Sequence, residues 1–106
     1  MYSLGFLEET VLLLVMMLED HAYGVSIASE YKERTGKEIS IPAIHTVLRR
    51  LEGKGYLQSY YSAATRERGG RKKRIYKITS LGYKVISEVH AQRNQFWSLI
   101  TKPDIG

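Results

Sequence analysis

The fold class follows from one stretch of the chain, which reads PAIHTVLRRLEGKGYLQSYYSAATRERGGRKKRIYKIT at residues 42–79. Its first part places apolar residues at helical spacing, and its second part contains two short aromatic segments with the period-two alternation of strands. Between those segments lies a basic run, GGRKKR, at residues 69–74. A helix can enter a DNA major groove while a basic hairpin tip beside it contacts the phosphates. This order of elements predicts a nucleic-acid-binding fold.

The positive charge is concentrated in the same region. Residues 49–77 hold ten of the 16 Lys and Arg residues but only two of the 11 Asp and Glu residues, a local balance of about +8. The rest of the chain has a balance of about −3, so the net charge of +5 is one patch on a mildly acidic protein. Such asymmetry indicates a polyanionic partner.

Length and composition exclude several classes of protein. A chain of 106 residues fits one domain with a modest core. The absence of cysteine excludes disulfides, thiolate metal sites and cysteine nucleophiles. The longest apolar run, residues 11–18, is far shorter than the roughly twenty residues of a membrane span, and no cationic segment typical of a secretory signal precedes it. We expect a cytoplasmic protein without membrane contact or cofactor.

Two helices are predicted before the quoted stretch. Residues 7–20 form the first, and its Leu-rich part is apolar on nearly every side. Burying such a helix all round in so small a chain would need a second subunit, which is a first indication of a homodimer. The second helix runs from Tyr23 to Thr35, with Gly36 as its stop and Glu30 and Arg34 as an i,i+4 pair.

The third helix, about Pro42 to Gly53, has the clearest amphipathic pattern. Ser40 and Ile41 lie where an N-cap belongs, and Pro42 suits a first turn because its missing N–H would be unpaired there. The stripe expected to face the core comprises Ile44, Val47, Leu48 and Leu51. The opposite face comprises Ala43, His45, Thr46, Arg49, Arg50 and Gly53.

Two strands and a last helix complete the chain. The strands are predicted at 56–61 and 74–79, joined by a long polar loop. The side chains expected to point inward from them are Leu57, Tyr61, Tyr76 and Ile78. The last helix runs from 80 to about 101, and its residues alternate spacings of four and three in a heptad seam that suits packing against a twin helix. That seam comprises Val85, Val89, Gln92, Phe96 and Leu99.

Three helices, a hairpin and a terminal helix make an α+β, mainly α, winged helix-turn-helix with an added dimerisation helix. Residues 1–79 would form the DNA-binding domain and residues 80–106 the dimerisation helix and tail, in one compact unit. Over residues 4–100 the chain resembles the PadR family of bacterial transcriptional regulators, in the short form with a single C-terminal helix. The segments that carry the resemblance are AYG at 22–24, LRRLEGKGYL at 48–57, GGRKKRIYKIT at 69–79 and LG at 81–82.

The resemblance implies a homodimeric repressor that binds a palindromic operator and releases it when a small effector binds. It also implies that the first and last helices build the dimer interface. The chain departs from the family at the start of the recognition helix, where a Thr and a Tyr two residues later are common. Ala43 and His45 stand at those positions, so the operator of relatives cannot be transferred to this chain.

These considerations give four sets of candidate site residues. The DNA-contacting face of the recognition helix comprises Ser40, Pro42, Ala43, His45, Thr46, Arg49 and Arg50. The wing, whose glycines allow close backbone approach and whose cations suit phosphates, comprises Arg68, Gly69, Gly70, Arg71, Lys72, Lys73 and Arg74. The dimer interface comprises Leu14, Leu18, Val85, Val89, Phe96 and Leu99. The candidate pocket for a small aromatic effector comprises Phe96 and Trp97.

Simpler explanations stay open for several of these residues. Arg49 and Arg50 could line a solvated helix face or pair with Glu52. Phe96 and Trp97 could simply stabilise the dimer interface. The basic run could be a soluble loop, although consecutive cations repel one another unless solvent or a polyanion screens them.

Other kinds of chemistry have little support. A three-histidine metal site would have to join His21, His45 and His90 from different elements. No catalytic Ser/His/Asp order, carboxylate pair or phosphate-binding glycine loop appears, so we do not expect an enzyme. Two other binding functions stay open: a winged helix whose basic wing meets an acidic protein, and a binder of structured RNA.

Overall fold

Four helices and one two-stranded sheet follow one another in the order that the sequence predicts. The computed structural model describes residues 4–62 and 72–102. The elements are α1 (Phe6–Leu18), a 3-10 turn (Glu19–His21), α2 (Gly24–Thr35), α3 (Ile41–Gly53), β1 (Leu57–Tyr61), β2 (Arg74–Ile78) and α4 (Ser80–Ser98). β1 and β2 pair antiparallel, with Leu57 opposite Ile78 and Tyr61 opposite Arg74. This is a mainly α winged helix-turn-helix, as predicted, and the hairpin β1–β2 with its connecting loop is called the wing below.

Local signals fix the ends of the helices. The Ser40 hydroxyl accepts a hydrogen bond from the Ala43 N–H at 3.2 Å and caps α3 as predicted. Gly36 ends α2 in the left-handed conformation, at φ 74°. α1 ends at Leu18, two residues before the predicted end, because Glu19 takes a positive φ of 51° and the chain continues as a 3-10 turn.

The core lies between the first three helices and the hairpin. The stripe predicted on α3 (Ile44, Val47, Leu48 and Leu51) is buried along its whole length. It packs with residues of α1, α2 and α4, of which the fully enclosed ones include Leu12, Ile27 and Val85. The amphipathic pattern of α3 therefore placed its core face correctly.

A single chain covers only part of α1. Val11, Leu12, Leu14 and Val15 are buried within the chain, but Leu13 is 41% exposed and Met17 is 52% exposed. A single subunit covers one side of α1 and leaves the other side in water, so enclosing α1 all round would need the second subunit that the sequence predicts.

The inward pattern predicted for the hairpin holds only near the helices. Leu57 and Tyr76 are buried and Ile78 is partly buried, but Tyr61 is 65% exposed. Tyr61 pairs with Arg74 at the end of the ladder farthest from Leu57 and Ile78. Because a two-stranded ribbon extends beyond the core that supports its base, alternation no longer leads to burial at that end.

The first turn of α4 is attached to the backbone at the start of β1. The Thr79 N–H donates to the Tyr56 carbonyl at 3.1 Å, and the Thr79 hydroxyl donates to the Gly55 carbonyl at 2.6 Å. Gly82 lies so close to Tyr56 that a Cβ there would collide with its carbonyl oxygen. From residue 90 to residue 102, in contrast, every residue is exposed.

This attachment corrects part of the predicted dimer interface. Val85 has no exposed surface and Leu14 has almost none, because both belong to the core of a single chain. They have no surface to offer a second subunit. Leu18 and Val89 are partly buried, whereas Phe96 and Leu99 are exposed. No helix in the described parts of the chain is long and apolar enough to cross a membrane.

Candidate nucleic-acid interface

The polar face of α3 is largely open to solvent. Ser40, Pro42, Thr46, Arg49 and Arg50 are exposed, while Ala43 and His45 are partly buried. The Thr46 hydroxyl donates to the Pro42 carbonyl at 3.0 Å. Its proton is therefore used within the helix, which leaves the hydroxyl oxygen as an acceptor for a partner.

The imidazole of His45 lies against the first turn of α2. A Cβ built on Gly24 would come within 3.0 Å of His45 Nε2. The ring therefore needs the space that the missing side chain of Gly24 leaves. Only the remaining exposed part of the ring is available for a contact with a base or a phosphate.

Arg49 and Arg50 do not pair with Glu52, which was one of the two simpler explanations for them. The Glu52 carboxylate is bound to Ser59 and Arg74. Burial raises the pKa of the Tyr76 phenol, and the nearby positive charges of Arg74 and Arg49 partly offset that effect. Arg49 thus carries its charge close to the hairpin.

The loop end of the hairpin, just beyond the Tyr61–Arg74 pair, is closed by Ser62 and Lys73. The Ser62 N–H donates to the Lys73 carbonyl at 2.8 Å, and the Lys73 N–H donates to the Ser62 hydroxyl at 3.0 Å. The Lys73 ammonium lies 4.3 Å from the centre of the Tyr23 ring, a cation–π contact that joins the wing to the start of α2. Lys72 is exposed. The other predicted wing residues, Arg68, Gly69, Gly70 and Arg71, lie outside the described residues.

Arg74 differs from its neighbours because its guanidinium already has protein partners. Nη2 lies 3.0 Å from Glu52 Oε1 and Nε donates to the Ser59 hydroxyl at 2.9 Å. Sequence reasoning missed this contact because it considered only the nearest cations as partners for Glu52. The pairing depends on the strand register, which brings residue 74 back beside α3.

The basic patch therefore divides into cations that lie beside a carboxylate and cations that do not. Among its described residues, three lysines and arginines lie close to a carboxylate: Lys54 to Glu8 at 2.8 Å, Arg74 to Glu52 at 3.0 Å, and Lys77 to Asp20 at 3.6 Å. In the described parts of the patch, four cations have no carboxylate within ion-pair distance: Arg49, Arg50, Lys72 and Lys73. Unbalanced positive charge is thus carried by α3 and by the loop end of the hairpin.

The candidate effector residues are not enclosed by a single chain. Phe96 is 57% exposed and Trp97 is 76% exposed. A cleft of about 340 Å³ lies elsewhere, between α1 and α4, and sequence reasoning did not find it. Its lining residues are Leu13, Met16, Tyr83, Ile86, Ser87, His90, Ala91 and Asn94. The sequence signal for such a cleft is a set of half-exposed apolar residues on two helices. That signal does not locate the cleft, because its position depends on the angle at which the helices pack.

Among the described residues, no group of three His, Asp or Glu side chains is arranged to hold a metal ion.

A three-helix core, with a cationic helix face beside a two-stranded wing, defines the winged-helix class of DNA-binding folds. The model of the transcriptional regulator PadR-like family matches residues 12–88, and the chain belongs to that family. This confirms the resemblance carried by the motifs of the sequence. The family is one of transcription factors, which also confirms that the chain is not an enzyme.

Individual relatives agree with this assignment. An uncharacterised protein of Lysinibacillus sphaericus is 34% identical over 87 residues, which are 80% of this chain and 75% of that protein. The structure of a PadR-like transcription factor from Bacteroides fragilis has a TM-score of 0.73 at 23% identity, covering 89% of this chain and 85% of that one. Bacillus subtilis PadR in complex with operator DNA has a TM-score of 0.63 at 18% identity, covering 95% of this chain and 52% of that one.

Proposed function

We propose that this transcriptional regulator binds double-stranded operator DNA sequence-specifically as a homodimer. α3 of each subunit would enter the major groove, and the wing would contact the flanking phosphates. The observation that carries the proposal is the division of the basic patch. Its cations without a carboxylate partner are on α3 and at the loop end of the hairpin, whereas Lys54 and Lys77 lie beside carboxylates of α1 and the 3-10 turn. Positive charge is left where a winged helix meets DNA.

The relationship to known regulators supports the same function. Bacillus subtilis PadR has this fold and was solved with operator DNA. At the start of α3, however, Ala43 and His45 replace the residues common in the family. We therefore propose that this chain reads a base sequence of its own.

The exposed apolar side chains support the homodimer. Leu13 and Met17 on α1 and Phe96, Leu99 and Ile100 around the end of α4 are left in water by a single chain. We propose that they, with Leu18 and Val89, meet their copies in a second subunit. Residues 80–106 would then act as the dimerisation unit and residues 1–79 as the DNA-binding unit.

We further propose that the dimer is a repressor released by a small aromatic effector. Phe96 and Trp97 from two subunits would lie near one another across such an interface and could sandwich a flat ring. Trp97 is the single tryptophan of the chain, so its fluorescence reports binding directly. Quenching of that fluorescence by planar aromatic compounds, together with loss of DNA binding, is the expected result. Quenching without loss of DNA binding would contradict the release.

The test of DNA binding starts with selection of duplexes from a random library by the full chain. The affinity for the selected duplex is then measured against salt concentration. If each subunit neutralises three to five phosphates, log affinity falls against log salt with a slope of about −5 to −9. A nearly flat slope would overturn the proposal.

Two control measurements separate the other binding functions. Structured RNA that displaces the selected duplex at equal concentration would favour an RNA-binding function. A partner protein that stays bound after nuclease treatment, with no duplex shift, would favour a protein-interaction module.

A further inference from the structure

A closed ring of three hydrogen bonds joins α3 to both strands of the wing. Ser59 on β1 donates its hydroxyl proton to Glu52 Oε2 at 2.6 Å and accepts from Arg74 Nε at 2.9 Å. Arg74 on β2 closes the ring by donating from Nη2 to Glu52 Oε1 at 3.0 Å. This set of contacts is called the helix–wing ring below. Each of its members lies on a different element.

The guanidinium of Arg74 is also held by aromatic rings. Its central carbon lies 5.9 Å from the centre of the Tyr61 ring and 5.7 Å from that of Tyr76. Two aromatic contacts and two directed hydrogen bonds already fix the orientation of this guanidinium. To turn towards a DNA phosphate, Arg74 would have to break these contacts.

The helix–wing ring lies where the core supports the wing least. Leu57 and Tyr76 anchor the hairpin in the core, but Tyr61 and Arg74 form the pair at its outer end. A two-stranded hairpin is marginal by itself in water. A contact from Glu52 to the outer end of the ladder therefore restricts how far the wing can swing away from α3.

We propose that Arg74 is a positioning residue, which with Glu52 and Ser59 sets the angle between α3 and the wing. In this role the guanidinium does not bind a phosphate, although it lies within the basic run. The proposal rests on the proposed function, since the angle matters because α3 and the wing must reach the same duplex. It reassigns Arg74 from the predicted DNA-contacting set.

The variant Glu52→Gln separates the two roles of Arg74 by the sign of its effect. If Arg74 binds a phosphate, removing the negative charge of Glu52 frees the guanidinium and reduces repulsion, so the affinity for DNA rises. If the helix–wing ring positions the wing, the same variant weakens binding of the selected duplex about fivefold, as expected for loss of a charge-assisted network worth about 1 kcal/mol. The matched control is Glu38→Gln, which breaks the exposed pair with Lys32 and leaves the wing untouched.

The salt dependence gives a second readout that a general loss of stability would not change. Lys72→Gln removes an unpaired cation and should make the slope shallower by about 1.8 per dimer if each Lys72 neutralises one phosphate. Arg74→Gln should weaken binding about fivefold and leave the slope unchanged. The double variant of Glu52→Gln with Arg74→Gln should bind no more weakly than Arg74→Gln, because the ring is already open. If the slope of log affinity against log salt becomes as much shallower for Arg74→Gln as for Lys72→Gln, the proposal is overturned.

An experiment without DNA keeps this inference separate from the proposed function. The Ser62 N–H is bonded to the Lys73 carbonyl just beyond the ring, and the Tyr56 N–H is bonded to the Leu51 carbonyl at the start of the hairpin. In Glu52→Gln, hydrogen exchange of the Ser62 amide should become about fivefold faster while that of the Tyr56 amide stays the same. If the chain selects no duplex but exchange of the Ser62 amide becomes faster, the positioning role of the helix–wing ring is supported and the proposed DNA-binding function is contradicted. If the duplex is bound and Glu52→Gln changes neither the affinity nor the exchange rate, only the positioning role of the helix–wing ring is contradicted.

Discussion

The two halves of α4 lie in different surroundings. Gly82, Val85 and Ile86 in the first half are buried against the winged-helix core. From residue 90 onwards the described chain is exposed, yet it carries Phe96, Trp97 and other large apolar side chains. One sequence pattern therefore serves two purposes. The first half completes the core of the chain, and the second half has apolar surface that the chain does not cover.

This difference shows which contacts are intramolecular. A heptad seam predicts a helix-to-helix interface along its whole length, but Val85, its first member, packs inside the chain. The seam available to a partner begins only after the helix leaves the core. Large exposed apolar patches are uncommon on monomers, so the second half of α4 is the stronger support for the homodimer.

The largest expected effect compares a leucine of the core with a leucine beyond α4. Leu48→Ala should lower the free energy of unfolding by about 3 kcal/mol, because it leaves a cavity at a fully buried site. Leu99 is 76% exposed, so Leu99→Ala should change the unfolding of an isolated chain by less than about 0.5 kcal/mol. Urea unfolding of both variants measures the difference.

Protein concentration makes this comparison sharper. In the proposed homodimer, Leu99→Ala should weaken subunit association, seen by sedimentation or by a shift in the concentration dependence of unfolding. The cost of Leu48→Ala should persist at the lowest protein concentration. Equal losses for the two variants at low concentration would mean that the second half of α4 is not separate from the core.

The fold could be predicted from the sequence because its signals are local. The spacing of Ile44 and Leu48, the cap at Ser40 and the stop at Gly36 each act within a few residues and all agree with the structure. Tyr61 could not be placed, because strand alternation gives the face of a side chain but not how far the core extends beneath it. The same limit applies to Leu14. Its apolar character predicts that it is buried, but not whether its own chain or a second subunit buries it.

The candidate site could be predicted only in part for a related reason. The charge count located the basic patch, and the exposure of Arg49 and Arg50 agrees with it. The count could not tell unpaired cations from paired ones, since Arg74 and Glu52 are 22 residues apart in sequence. Long-range ion pairs depend on the register of β1 with β2, which no local pattern specifies.

A smaller effect is expected where α4 joins the core. Gly82→Ala should lower the free energy of unfolding by roughly 2–3 kcal/mol, because a Cβ would collide with the Tyr56 carbonyl and lie 2.9 Å from Ile78 Cδ1. Gly53→Ala is the matched control, since a Cβ at that end of α3 would meet nothing within 4 Å. It should be neutral or slightly stabilising because Ala favours helices. Thermal or urea unfolding of both variants checks the pair, and equal costs would contradict the close packing at Gly82.

The smallest effect distinguishes two neighbouring carboxylates, one facing the core and one facing α4. Glu8 is buried and its Oε2 lies 2.8 Å from Lys54 Nζ, whereas Glu9 Oε2 lies 3.2 Å from Nη2 of Arg93, whose side chain is 68% exposed. Glu8→Gln should cost about 1 kcal/mol at pH 7. Glu9→Gln should cost less than about 0.5 kcal/mol, because the guanidinium of Arg93 is largely in water.

The pH dependence of the Glu8 effect has a definite sign. Burial by itself would raise the pKa of the Glu8 carboxyl, but the hydrogen bonds from Lys54 and the Gly5 N–H, with the charges of Lys54 and Arg50, outweigh burial and lower it below 4.5. A lowered pKa means that the ionised form stabilises the fold, so this contribution is present above pH 4.5 and is lost as the pH falls through the folded-state value. Urea midpoints of wild type and Glu8→Gln should therefore differ at pH 7 and converge as the pH falls through the lowered pKa of Glu8. A gap that stays constant with pH would show that the side chain of Glu8 acts through its shape and not through its charge.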